Sequence, residues 1–211
     1  MSTLELIWDA QTTYNFWSWT NGKAHYTARF IRRLSGKNNI CTVRIGARGS
    51  APRSNMDESA DVAIVKMAFT PKTVEALARE AQFYEKLRDL QGAIIPRCLG
   101  HFRSKVAGTD MACLVLDYCV GMPGEKMRDL NRKAMCAAYA LHSSGVMHGD
   151  LLDGRHYVTS GRDMMIVDFT AAVHHQCIHG IPVHGPDGRP HLGVCPELKA
   201  LENMYGVHRR W

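Results

Sequence analysis

Acidic residues are missing from a long stretch of this chain. Between Ala10 and Met56 there is no Asp or Glu, while Lys23, Arg29, Arg32, Arg33, Lys37, Arg44, Arg48 and Arg53 all fall there. Two readings follow: a surface that draws phosphates, or the solvated basic face of a small sheet. A nucleic-acid groove would need aromatics interleaved with the charges. Tyr14, Phe16, Trp17 and Trp19 cluster ahead of the basic stretch instead, which argues against nucleic acid as a partner. No run of eighteen apolar residues occurs, so no membrane-spanning helix and no membrane partner are expected. The N-terminus, MSTLELIWDAQTTYNFWSW, lacks the basic and continuous apolar regions of a secretory leader. No C-x-x-C pair occurs among the seven cysteines, an odd number. That pattern fits reduced thiols in an intracellular, cytoplasmic protein, with the nucleus left open. Cys41, Cys113, Cys119 and Cys136 lie in apolar contexts and read as small core residues.

Apolar residues make up 45% of the 211 positions and charged residues 22%, enough for a core in one or two modest domains. Thr3–Trp8 alternates loosely and reads as an edge strand. His25–Leu34 and Asn39–Ile45 read as a hairpin closed by Ser35-Gly36-Lys37-Asn38. Gly46–Ser59 has loop composition, and Asp61–Phe69 is a β-rich run with Lys66 at its middle. A lysine inside an apolar strand needs a partner or must reach solvent. Pro71 then opens a helix over Lys72–Leu90, with an apolar stripe at Val74, Leu77, Ala78, Ala81, Tyr84 and Leu87. Glu80 lies mid-helix beside that stripe and is the candidate partner of Lys66, with Glu75 and Glu85 as rivals nearer the ends. Ile95–Arg103 and Met111–Tyr118 read as strands, Glu125–Ser143 as a second helix and Pro196–Tyr205 as a last one.

The stretch from Val146 to Thr170 organises the rest. His148-Gly149-Asp150 stands ahead of a strand-sized run, His156–Thr159. A Ser-Gly-Arg-Asp turn follows, and then a second strand, Met164–Val167, that ends in Asp168-Phe169. A hairpin returns the chain on itself, so Asp150 and Asp168 come to the same end of one ribbon. Two close carboxylates repel unless a cation lies between them or one is protonated. A divalent metal that also holds phosphate oxygens is a natural occupant.

These residues resemble the catalytic and metal-binding loops of the protein-kinase-like superfamily. His148-Gly149-Asp150-Leu151 is similar to its H-R-D-L or H-G-D-L, the latter shared with aminoglycoside and choline kinase types. Asp168-Phe169-Thr170 is similar to D-F-G, Asp61–Phe69 to the V-A-I-K strand, and Cys195-Pro196-Glu197 to the closing A-P-E. The resemblance runs from Arg29 to Glu197 and implies an α+β, two-lobed fold. Residues 1–120 would form an N-lobe of antiparallel sheet plus one helix, and residues 121–211 a truncated, mainly helical C-lobe. It also implies ATP and Mg2+ as cofactors. Lys66, steadied by Glu80, would hold the phosphates, and Asp150 would orient the acceptor hydroxyl or take its proton. Asp168 would hold the metal, and the backbone around Asp117 and Cys119 would hold the adenine edge. The acceptor would be a protein Ser/Thr or a small hydroxylated molecule. The alternative is a pseudokinase, a binding module without turnover.

Three departures are visible. Only Gly36 represents the glycine-rich loop, and no Walker A motif replaces it. Arg155 occupies the position of the metal-ligating Asn, which leaves His156 or Asp153 as substitute ligands. Gly149 replaces the loop arginine that would meet a phosphorylated segment. His174, His175, Cys177, His179, His184, His191 and Cys195 invite a zinc reading, but their spacing matches no C-x2–4-C…H-x3–5-H pattern and gives it little support.

Overall fold

A computed structural model of the chain describes residues 1–18, 23–34, 39–47, 61–119, 127–160, 163–177 and 195–205. Two compact units form: Met1–Gln82 with Arg97–Tyr118, and Phe83–Pro96 with Cys119–Trp211. The last part of the first helix and the turn after it thus belong with the second unit rather than with the sheet.

The first unit is built on seven strands: β1 (Ser2–Ile7), β2 (Thr13–Ser18), β3 (His25–Arg33), β4 (Ile40–Ala47), β5 (Asp61–Ala68), β6 (Cys98–Val106) and β7 (Thr109–Asp117). They close into a barrel in the order β1-β2-β6-β7-β5-β4-β3. This overturns the expected two-lobed kinase-like fold of an antiparallel sheet plus one helix followed by a truncated, mainly helical lobe. β1 is no edge strand. It pairs antiparallel with β2 and parallel with β3, with Leu4 opposite Tyr26 and Leu6 opposite Ala28. β2 meets β6 at Trp17 and Arg103, and Ser104 Oγ donates to the Asn15 carbonyl at 2.6 Å. The N-terminal hairpin bridges two strands that would otherwise offer unpaired backbone, and that demand for pairing is the physical reason for closure.

Period-two alternation fills the barrel. Leu4, Leu6, Phe16, Val43, Ile45, Val65, Phe102 and Val115 form its core. At the β1–β2 turn, Asp9 Oδ1 accepts from the backbone of Gln11 and Thr12 at 2.9 and 2.7 Å. Between β6 and β7, Ala107 and Gly108 both take positive φ, 48° and 83°, which a two-residue hairpin turn requires. β7 is buried without interruption from Met111 to Leu116, which is why that run reads as continuously apolar.

Helix α1 (Pro71–Lys86) begins at the proline and is followed by a 3-10 turn, Arg88–Leu90. The second unit also holds α2 (Met127–Ser143) and α3 (Pro196–Tyr205), with four short strands: β8 (Val146–Met147), β9 (Tyr157–Ser160), β10 (Asp163–Ile166) and β11 (Val173–His174). β9 and β10 form an antiparallel hairpin, and β8 pairs with β11. Gly145, at φ 76°, ends α2 as only glycine does cheaply, and its amide donates to the His142 carbonyl. Tyr84 from the end of α1 meets Phe169 edge-on at 5.1 Å between ring centroids, inside this unit's core. Among the described residues no helix is long and apolar enough to cross a membrane.

Candidate functional site

In the first unit, alternation along β5 sends Val65 and Met67 into the barrel and Lys66 to its outer side. There Lys66 Nζ donates to Glu80 Oε1 of α1 at 2.6 Å. The two side chains are only 10% and 3% exposed. Glu80 is therefore the acid that Lys66 meets, not Glu75 or Glu85; the latter pairs with exposed Arg88. Asp117, expected beside the adenine, accepts from Arg97 Nε at 2.6 Å, and its backbone amide donates to the Arg97 carbonyl at 2.9 Å. Gly36 lies outside the described residues.

In the second unit the two acidic loops are stitched together. His148 is fully buried, and its Nε2 lies 3.1 Å from the Val167 carbonyl, just before Asp168. Burial pushes the His148 imidazole down from its ordinary pKa, the carbonyl only partly offsetting this. Because a carbonyl only accepts, Nε2 carries the proton that points at it. Gly149 has φ 86°, and a Cβ there would lie 2.7 Å from the Ala171 carbonyl oxygen. Position 149 is thus held as glycine by close backbone approach. Asp168 is left-handed as well, at φ 75° and ψ 70°, with Thr170 Oγ1 donating to its carboxylate at 2.7 Å. Such a conformation in a non-glycine residue costs on the order of 1 kcal/mol and tends to be kept where it serves a function.

Asp150 is exposed at the end of this stitch and its Oδ2 lies 3.0 Å from His156 Nε2. Asp153 caps the 3-10 turn Gly154–His156, which aims the His156 ring back at Asp150. Asp150, Asp153 and His156 each offer a ligand atom within 4.8 Å of the others, two carboxylates and one imidazole. Asp168 is not one of those three. Arg155 binds Asp153 through Nε at 2.8 Å and also through Nη2, which holds the Asp153 carboxyl well below its usual range. Cys119 Sγ lies 3.6 Å from Met165 Sδ.

Two further residues tie this region together: Glu197, already part of the A-P-E-like run, and His142, which no motif singles out. Glu197, in the first turn of α3, accepts from the amides of His148 at 3.1 Å and Gly149 at 2.6 Å, and it lies 2.7 Å from His142 Nε2. Burial raises its pKa, but those hydrogen bonds outweigh burial and leave it below the ordinary glutamate value. His142 belongs to a second cluster, with His175, Cys177 and Cys195. Its sequence signal is a polar residue next to Ala138 and Leu141 on the buried side of α2.

No family model matches this chain, and a comparison with characterised proteins finds no relative.

Proposed function

We propose that this protein transfers the γ-phosphoryl group of Mg-ATP to a hydroxyl acceptor. A protein serine or threonine is the first acceptor to test and a small hydroxylated molecule the second. The observation that carries the reading is the Lys66–Glu80 ion pair, out of water at 2.6 Å. A buried ion pair adds little net stability, because desolvation offsets attraction. Its presence on an apolar strand is better accounted for by a cation kept in a fixed place for phosphate oxygens. Glu80 keeps Lys66 from wandering among rotamers. In the second unit, Asp150 orients the acceptor hydroxyl or takes its proton, and His156 fixes the Asp150 carboxylate. The carboxylates of Asp168 and Asp153 are the groups suited to Mg2+, with the His156 imidazole a borderline donor beside them; when bound, the ion would neutralise charge on the phosphates. Phosphoryl transfer depends mainly on positioning and charge neutralisation, so a few held groups suffice.

The test is thermal stability with and without Mg-ATP, followed by phosphate transfer. Ligand at a hundredfold its Kd adds about 2.7 kcal/mol to stability. Asp150→Asn should keep that gain and lose turnover. Absence of any shift at millimolar Mg-ATP sinks the reading. A second reading, nucleotide binding without turnover, is favoured by one observation: Arg155 stands where a metal ligand is expected, and its guanidinium ties up Asp153. A Mg-ATP shift with no phosphate transferred to any acceptor would select it.

A further inference from the structure

Four soft or borderline metal ligands converge at the end of α2. The β8–β11 pairing and the amide of His175, which donates to the Gly145 carbonyl at 3.0 Å, bring His175 and Cys177 alongside that end. α3 packs on α2 through buried Leu198 and Leu201, which carries Cys195, the residue just before α3, to the same point. His142 Nδ1 lies 3.7 Å from Cys177 Sγ and 3.6 Å from Cys195 Sγ. The His142 and His175 rings cross edge-on at 5.1 Å. One ligand atom from each of the four lies within 4.8 Å of every other.

We propose that His142, His175, Cys177 and Cys195 bind one Zn2+ ion as a tetrahedral Cys2His2 centre. In a tetrahedron with ordinary zinc–sulfur and zinc–nitrogen bonds, sulfur and nitrogen stand about 3.5 Å apart. Both measured sulfur–nitrogen separations fall close to that edge. His142 and Cys195 are 2% and 7% exposed and His175 and Cys177 are half-buried, so one side of the position is closed to water. The tautomer suits metal binding. With Nε2 protonated toward Glu197 at 2.7 Å, Nδ1 turns a lone pair to the cluster, and the carboxylate orients the ring. His175 Nε2 is buried and has no hydrogen-bond partner among the described residues, a cost that binding at the cluster can relieve. On binding, both thiols release their protons to solvent. Two thiolates and two neutral imidazoles then balance the charge of the ion. Thiolate and imidazole donors select zinc over Mg2+.

The Glu197 carboxylate that braces His142 also holds the amides of His148 and Gly149. Zinc would therefore brace the Asp150 loop from behind, through one glutamate. The proposal itself does not depend on phosphoryl transfer.

The test uses the full chain, purified under reducing conditions and desalted. About one zinc per chain should remain. Cys136→Ser, at an exposed cysteine outside the cluster, should keep it, and Cys177→Ser with Cys195→Ser should lose it. Glu197→Gln should weaken zinc about 10- to 100-fold against a competing chelator. Should the double variant fail to fold, Co2+ replacement in the unmodified chain decides. Intense tetrahedral d–d bands with thiolate charge transfer support the site. Metal-free protein that takes up neither ion, metal retained by a folded double variant, or a Cys177–Cys195 disulfide in the reduced preparation would each overturn it.

Discussion

The α-carbon of Gly149 sits so close to the Ala171 carbonyl that an added methyl carbon would lie 2.7 Å from the oxygen. The obstacle is backbone and cannot swing away as a side-chain tip would. Gly149→Ala should therefore cost about 1–3 kcal/mol of stability in a denaturant melt. Phosphate transfer should fall more than tenfold, because Asp150 moves with the loop. A melt unchanged from the parent would contradict this packing.

Replacing only Lys66 leaves Glu80 charged and buried. Lys66→Met should destabilise by about 3–5 kcal/mol, while Lys66→Met with Glu80→Leu should recover most of that loss. Both variants should lose stabilisation by Mg-ATP. Comparing the two melts separates the structural cost of an orphaned carboxylate from the loss of the cation proposed to hold phosphate.

At Asp168 the left-handed backbone separates two substitutions. Asn tolerates this conformation, so Asp168→Asn should keep near-parental stability and lose Mg-dependent turnover. Alanine does not, and Asp168→Ala should cost about 1 kcal/mol more than Asp168→Asn in paired melts.

His101 on β6 is pushed down to about 4, by burial first and by the Arg103 charge second. The folded chain keeps this ring neutral while the unfolded chain takes up a proton below about pH 6.5. Its stabilising share is thus present above pH 6.5 and is lost as the pH falls toward 4. Relative to His101→Gln, the parent should lose about 1–2 kcal/mol between pH 7 and pH 5, allowing for partial solvent screening. Urea melts at the two pH values measure it, and equal slopes with pH for parent and variant would refute it.

Burial pushes the Cys41 thiol up to about 12 and the Cys113 thiol well above its ordinary value. Both should resist alkylation in the native protein and react on unfolding. Cys136, expected in the core, is exposed on α2 and should react promptly. Peptide mapping after brief iodoacetamide treatment reads all three.

What the sequence discloses depends on how local each feature is. Lys66 with Glu80 was legible because a lysine in an apolar strand needs a partner, and the next helix offered one mid-face. α3 matches its expected bounds, Pro196–Tyr205, because a proline opens it and an apolar spacing sustains it. The β9–β10 hairpin was equally plain, with polar turn residues between two short apolar runs. Barrel closure was not legible. Alternation in Thr3–Trp8 says which side chains are buried but not that the strand lies parallel to His25–Arg33. The His142, His175, Cys177 and Cys195 cluster was legible only in part: the last three stand in the His- and Cys-rich stretch, but His142 was not among the candidates and the spacing argued against zinc. Its members come from a helix end and from either side of residues 178–194, so no short spacing records it, and His174, which local pattern ranks beside His175, is exposed.

Among the described residues, β2 and β6 register through one pair, Trp17 with Arg103, whereas β4 and β5 register from Ile40 with Lys66 to Ile45 with Asp61. A ring of strands breathes where its seam is thinnest. Parting there would unroll the cylinder into a ribbon bounded by β2 and β6, with β5 still zipped to β4 and β7. Amide exchange should therefore run fastest along Thr13–Ser18 and slowest beside Lys66, and the lysine's footing would stay intact while the far wall opens.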